Sequence, residues 1–337
     1  MPIPAENTPR ATSRKRILSG MRPTGRLHIG HLVGALENWV ALQKEFRNFH
    51  LVADYHALTT SLRTGDLYEN SIEMVIDWIA AGIDPVESPV FRQSQVKEHT
   101  ELNLIFGMLI TKARLERNPT LKDQVRDLEI ENLTFGHLGY PVLQAADILL
   151  YKGEVVPVGE DQVPHVEITR EIARKFNAEY GDVFPEPEAR LTKFARLPGL
   201  NGDMKMSKSA GNTILISDPP EVIAARMKTA VTDPLKVRRN DPGRPEVCLV
   251  FTYHTKFNPA AVAEIGSGCR SGALGCVDCK LKAATAVSAV LAPIREKRAR
   301  LESHRGEVLD ILHDGERRAR ETAAGTMGQV REAMKIG

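Results

Sequence analysis

Arg16-Ile17-Leu18-Ser19-Gly20-Met21-Arg22-Pro23-Thr24-Gly25-Arg26-Leu27-His28-Ile29-Gly30-His31 carries the decision about the fold. Its first five residues read as a short apolar strand ending in a glycine turn, and Pro23 to His31 reads as a loop. Leu36, Trp39, Val40 and Leu42 then recur at helical spacing between Gly34 and Gln43. The alternation continues with a strand over Phe49 to Tyr55, a helix over Leu67 to Ala81 and a strand over Pro89 to Arg92. Helices from about His99 to Arg117 and from Gly139 to Tyr151, a strand over Val155 to Val158 and a helix over Glu160 to Asn177 follow. Strands alternating with helices predict an α/β fold built on a doubly wound parallel sheet.

From Pro219 onward the pattern is helical only, over Glu221 to Val231, Lys280 to Glu302 and Glu307 to Met334. A chain of 337 residues exceeds what one core ordinarily organises. The expected division is a flexible leader at 1–13, an α/β domain at 14–217 and a smaller all-helical domain at 218–337. Apolar runs such as Leu102 to Ile110 are too short to cross a bilayer, and Met1 to Ser13 lacks the apolar stretch of a secretory signal. A soluble, cytoplasmic protein with no membrane partner is expected. The formal charge of +2 does not by itself announce a nucleic-acid partner. RNA contact would have to come from local runs, Lys236, Arg238, Arg239 and Arg244, then Arg295, Lys297, Arg298 and Arg300.

Two segments suit polyphosphate. His28-Ile29-Gly30-His31 lies between a strand and a helix, where free N–H groups and the helix dipole favour an anion. Gly30 admits a nucleotide close to the main chain, and two imidazoles flank it as donors. Lys205-Met206-Ser207-Lys208-Ser209 follows the turn-rich Pro198-Gly199-Leu200-Asn201-Gly202-Asp203, and both lysines can reach a polyphosphate. A capped turn and a solvated basic loop are the ordinary alternatives. Against them stands the order of the two segments, which an α/β sheet would present to one crevice.

Between these segments, Tyr140, Gln144 and Asp147 share one face of an apolar helix. A carboxylate among Leu and Ala is costly unless paired. Its partner could be a substrate indole N–H or phenol O–H, or a nearby arginine. The four cysteines, Cys248, Cys269, Cys276 and Cys279, are spaced C-x20-C-x6-C-x2-C, which suits zinc or a [4Fe–4S] cluster better than a disulfide framework.

With intact HIGH and KMSKS segments, the chain resembles the class I aminoacyl-tRNA synthetases. Through Gly139 to Tyr151, Val156-Pro157-Val158-Gly159-Glu160-Asp161-Gln162 and the helix over Val163 to Lys175 it resembles the tryptophanyl-tRNA synthetases. The resemblance implies a Rossmann-like catalytic domain, a helical anticodon-binding domain and a homodimer. It also implies two steps: ATP and L-tryptophan give tryptophanyl-adenylate and pyrophosphate, and tryptophan then passes to the terminal ribose of tRNA(Trp). His28 and His31 would stabilise the α-phosphate, Lys205 and Lys208 the departing pyrophosphate, with Mg²⁺ on the β and γ phosphates. ATP contacts would extend over Arg22, Pro23, Thr24, Gly30, Gly159, Glu160, Asp161, Leu197, Met206, Ser207 and Ser209. Asp147 would accept the indole N–H, with Tyr140, Gln144 and His56 near the substrate and Gln162 on its ammonium group.

Two departures bear on this. Many bacterial members carry methionine at Gln144, where tyrosyl enzymes of the archaeal type have glutamine, so tyrosine is the competing substrate. Arg22 stands where many relatives have glutamine and would add a phosphate contact. A subset of the family holds a [4Fe–4S] cluster on four such cysteines; the first loop here is two residues shorter, which keeps zinc as the alternative. A synthetase-derived RNA-binding regulator without charging activity is the reading from a different class.

Overall fold

The computed structural model describes residues 14–127, 129–191, 197–203, 206–208 and 210–337. The leader at 1–13, Lys205 and Ser209 lie outside the described residues.

Among the described residues, five parallel strands form one sheet in the order β3-β2-β1-β4-β5. They are β1 (Arg16–Met21), β2 (Arg47–Val52), β3 (Val90–Arg92), β4 (Val155–Val158) and β5 (Glu188–Leu191). Chain direction across the sheet reverses between β1 and β4, so a crevice opens over the carboxyl ends of those two strands. Side chains alternate between the faces. Val52 and Val90 join one core with Leu27, Ile29 and Trp78, while Leu18, Phe49, Leu51, Phe91 and Val156 join the other with Leu149 and Ile168. Helices therefore cover both faces, which is the expected doubly wound α/β architecture.

Several boundaries differ from the sequence reading for local reasons. The helix expected from Gly34 starts earlier, as α1 (Ile29–His31), a π turn over Leu32–Leu36 and α2 (Glu37–Leu42). The second strand stops at Val52. Tyr55 belongs to α3 (Asp54–Leu58), whose Asp54 Oδ1 accepts the Ser94 N–H at 2.9 Å. After α4 (Leu67–Ala81), the long helix expected from His99 divides into α5 (Glu98–Gly107) and α6 (Lys112–Glu116). Thr111, extended at ψ 150°, ends one segment and caps the next by accepting the Arg114 N–H. The sequence pattern predicts neither α7 (Pro119–Asp127) nor β5. α8 (Phe135–Leu150) begins before Gly139 because Thr134 caps it. α9 (Val163–Tyr180) follows a 3₁₀ turn at Glu160–Gln162.

Beyond residue 219 come α10 (Pro220–Thr229), α11 (Leu249–Phe257), α12 (Val262–Arg270), α13 (Cys276–Ser303) and α14 (Arg305–Met334). α13 packs on α4 and α10. α14 returns to the sheet and sends Ala319, Ala323, Met327 and Val330 into the core that holds Phe91. Gly315 is required at that crossing, since a Cβ there would lie 2.0 Å from the Val90 carbonyl oxygen. Among the described residues no helix is long and apolar enough to cross a membrane.

Candidate active site

A cavity of about 390 Å³ lies over the carboxyl ends of β1 and β4. Seven of the expected site residues line it: Arg22, His56, Tyr140, Gln144, Asp147, Gly159 and Gln162. Gly34 and Trp39 join them from the π turn and α2, so the departure from regular helix falls at the site.

Asp147 is 2% exposed, and its partners are not the arginine that a structural salt bridge would supply. His56 Nε2 lies 2.8 Å from Oδ2, while Oδ1 receives Gln93 Nε2 at 2.7 Å and His99 Nδ1 at 2.6 Å. A carboxylate only accepts, so each imidazole donates from the nitrogen that faces it. His99 Nε2 is then free to accept from the Tyr151 hydroxyl 2.9 Å away, which extends the chain to Tyr151–His99–Asp147. Burial opposes the charge on Asp147, but the hydrogen bonds and electrostatic pull of His56 and His99 outweigh it and hold the carboxyl at about 2. The side chain thus stays an acceptor at neutral pH. Gln93 and His99 escaped the sequence reading. The one signal was the position of Gln93, directly after β3, where the carboxyl end of a strand faces the crevice; His99, on α5, had none.

Tyr140 Oη lies 2.6 Å from His165 Nε2, and Asn118 Nδ2 donates to His165 Nδ1 at 2.7 Å. With Nδ1 accepting, His165 presents N–H to the Tyr140 oxygen. The unexpected α7 serves the site as well, since its Thr120 hydroxyl donates to the Asp161 carbonyl at 2.7 Å.

The HIGH segment lies beside the cavity, not in its wall. The His28 N–H donates to His31 Nδ1 at 3.3 Å, and the two rings stand 3.8 Å apart. With Nδ1 accepting, neutral His31 keeps its proton on Nε2, where it can be offered to a ligand. Burial, then the Lys208 charge, lowers His28 to about 4; burial, then His28 and Lys208, lowers His31 to about 3. Both are uncharged donors at neutral pH. A Cβ on Gly30 would come within 2.9 Å of the His28 ring and of Met206 Sδ, so the protein's own packing requires this glycine. Lys208 Nζ donates to the Thr24 and Arg26 carbonyls, the latter at 3.0 Å, and Ile29 N–H donates to the Ile214 carbonyl at 2.9 Å. The two phosphate segments, far apart in sequence, therefore touch. Leu197 is buried in the core, which leaves only its main chain for a nucleotide.

Most of the cations expected to meet RNA are engaged within the protein. Arg298 is 2% exposed and ion-paired, Lys236 is buried with its ammonium on the Asp241 carbonyl, and Arg244 pairs with Asp233. Arg300 forms a two-pronged pair with Glu307, Arg239 pairs with Asp278, and Arg295 bonds Ser288. Acids, carbonyls and a hydroxyl brought up by the fold, invisible to a count of basic residues, account for the difference.

The four cysteines are free thiols at the starts of α11 and α13 and in α12. Burial, then Cys248, Cys269 and Cys276, pushes the Cys279 thiol up to about 12, so the four lie within electrostatic reach of one another. Gly243 backs the group, since a Cβ there would meet Cys269 Sγ at 2.6 Å. Among the described residues, however, no three His, Cys, Asp or Glu side chains are arranged to hold a metal ion. The expected metal site is thus matched in neighbourhood and not in ligand geometry.

Residues 10–292 match the family of class I tRNA synthetases for W and Y, and the chain belongs to that family. Within it, the chain falls with the tryptophan enzymes. It is 50% identical to a tryptophan–tRNA ligase of Thermotoga maritima, over 95% of this chain and 99% of the relative. It is 44% identical to that of Aquifex aeolicus, over 95% and 100%. The crystal structure of tryptophanyl-tRNA synthetase from Campylobacter jejuni, complexed with ADP and tryptophan, superimposes with a TM-score of 0.86 at 35% identity, covering 95% of this chain and all of that one.

Proposed function

We infer that this chain condenses L-tryptophan with ATP to tryptophanyl-adenylate, releasing pyrophosphate, and transfers tryptophan to tRNA(Trp). The observation that carries the substrate is Asp147, an ionised carboxylate in the wall of a cavity beside the HIGH segment. Its placement suits an indole N–H and penalises an apolar competitor that would leave it short of a donor.

The attacking carboxylate of tryptophan is already an anion, so the site needs no base and works by placement and charge. That oxygen bonds to the α-phosphorus while the bond to pyrophosphate breaks. His28 and His31, kept neutral by burial, donate N–H to the α-phosphate, and Lys205 and Lys208 take up the charge of the pyrophosphate with Mg²⁺. Lys208 would leave the Thr24 and Arg26 carbonyls to do so. Arg22, Pro23, Thr24, Gly30, Gly159, Glu160, Asp161, Leu197, Met206, Ser207 and Ser209 complete the ATP side. Tyr140, Gln144, His56 and Gln162 complete the tryptophan side.

The division into 14–217 and 218–337 is retained as catalytic and anticodon-binding parts, with α14 bracing the sheet. Leu104 on α5 and Met108 at its C-cap, both exposed, are suited to a homodimer contact. Four free thiols suit the cytoplasm. The mutual proximity of the four cysteines supports a [4Fe–4S] group held by Cys248, Cys269, Cys276 and Cys279, which would fix the loops between α11 and α13 and take no part in the reaction. Anaerobic purification should give brown protein with iron; colourless protein with zinc would refute the cluster.

Exchange of labelled pyrophosphate into ATP with single amino acids tests the activity. Exchange with tryptophan is expected. Exchange with tyrosine alone would overturn the substrate, and none with any amino acid would favour the RNA-binding regulator.

A further inference from the structure

Arg298 of α13 is a cation inside the protein, 2% exposed. Its guanidinium donates to Asp77 Oδ1 and Glu73 Oε2, and to Glu302 Oε1 at 2.8 Å. Asp77 of α4 is fully buried, and its second oxygen, Oδ2, accepts the Leu27 main-chain N–H at 2.6 Å. Leu27 immediately precedes His28 and is itself fully buried, its carbonyl taking the Ile216 N–H at 3.0 Å. A parallel strand of the network uses the same acids. Arg26 Nε donates to Glu73 Oε2 at 2.8 Å and its NH2 to Glu302 Oε1 at 3.0 Å, while the Arg26 carbonyl receives Lys208 Nζ at 3.0 Å.

Buried ion networks return little net stability, because desolvation offsets the attraction, and apolar residues of equal volume would hold α13 on α4 as well. What the network supplies is geometry. One carboxylate is oriented on one side by a helix of the C-terminal segment and on the other holds the N–H that leads into the HIGH turn. Both phosphate segments hang from it, since Lys208 rests on the adjoining carbonyl.

We propose that Arg298 and Asp77 are positioning residues for adenylate formation: through the Asp77 carboxylate, α13 sets the main chain at Leu27 and hence the placement of His28 and His31 against the α-phosphate. The proposal rests on the role given to those histidines above. It deepens that role by making the ATP turn dependent on the seating of a helix outside the sheet. The network lies on the sheet face of Leu27 and Ile29, whereas Asp147 and its partners on α5 and α8 belong to the opposite face. Tryptophan affinity should therefore not follow the perturbation.

The test uses the full-length enzyme carrying Arg298→Met, Arg298→Lys, Glu302→Gln or Arg305→Gln. Arg305 also ties α14 to α4, through Glu69 at 2.7 and 2.8 Å, and touches nothing at Leu27, so it serves as the control. Arg298→Met should lower kcat for pyrophosphate exchange by about ten- to a hundredfold, with the tryptophan dissociation constant unchanged within about twofold. Arg298→Lys should recover part of the loss, Glu302→Gln should lose less, and Arg305→Gln should match the wild type. Amide hydrogen exchange over 24–31 reads the same geometry without catalysis and should quicken in the Arg298 and Glu302 variants but not in Arg305→Gln. An unfolded Arg298→Met leaves the decision to Arg298→Lys and Glu302→Gln. Wild-type kcat and wild-type protection in both would overturn the proposal, as would a parallel loss of tryptophan affinity. Absence of exchange in the wild type would instead sink the assigned activity, with hydrogen exchange still deciding whether Arg298 governs the turn.

Discussion

Removing the N–H from the substrate isolates the Asp147 contact without disturbing the protein. The benzothiophene analogue of tryptophan keeps the ring size and replaces that N–H with sulfur. A carboxylate offers roughly four acceptor sites. His99 and Gln93 occupy Oδ1 and His56 occupies one side of Oδ2, so the open place is the second on Oδ2. A hydrogen bond to a charged group contributes about 1.5 to 3 kcal/mol. With His56 still on Oδ2, the loss belongs at the lower end, about 1.5 kcal/mol, or roughly tenfold in kcat/KM for pyrophosphate exchange. In Asp147→Asn the charge is gone and the ratio of the two substrates should fall toward one, whatever the variant's absolute activity. Because each enzyme is compared with itself, partial misfolding cancels. Equal use of both substrates by the wild type, or an unchanged ratio in Asp147→Asn, would refute the role given to this carboxylate.

Other consequences can be checked separately. His31→Ala removes one α-phosphate donor and should lower kcat by about a hundred- to a thousandfold while leaving tryptophan affinity intact, read by exchange kinetics and equilibrium dialysis. Asp147 sits at about 2 in the folded protein against 3.8 ordinarily. Its contribution is present above the unfolded value and disappears as pH falls through the folded one. Denaturant unfolding should therefore show the wild type losing about 2 kcal/mol between roughly pH 4 and pH 2 that Asp147→Asn does not lose. Gly315→Ala, which would force a Cβ onto the Val90 carbonyl, should cost about 1 to 3 kcal/mol and lower Tm with no change in substrate preference.

The sequence disclosed those parts of the fold and site that are local or strongly periodic. β1, the HIGH turn and the face of α8 bearing Tyr140, Gln144 and Asp147 could be read because strand, loop and helix follow one another directly. β5 could not, because Glu188-Ala189-Arg190-Leu191 is a short, partly exposed edge strand without an apolar run. The break at Thr111 was masked by apolar residues continuing on either side of a single capping hydroxyl. His99 reaches Asp147 through the packing of α5 on α8, and Gln93 reaches it from the turn after β3, across 54 residues of sequence. Arg298 looked like one more surface cation until α4 brought Asp77 and Glu73 to it; partners more than 200 residues apart leave no periodic trace.

Charging of tRNA(Trp) with labelled tryptophan and with labelled tyrosine, side by side on the purified chain with ATP and Mg²⁺, tests the central claim most directly. Tryptophan is expected to accumulate on the tRNA and tyrosine to remain at background. Loading of tyrosine in its place, or of neither, would contradict the account.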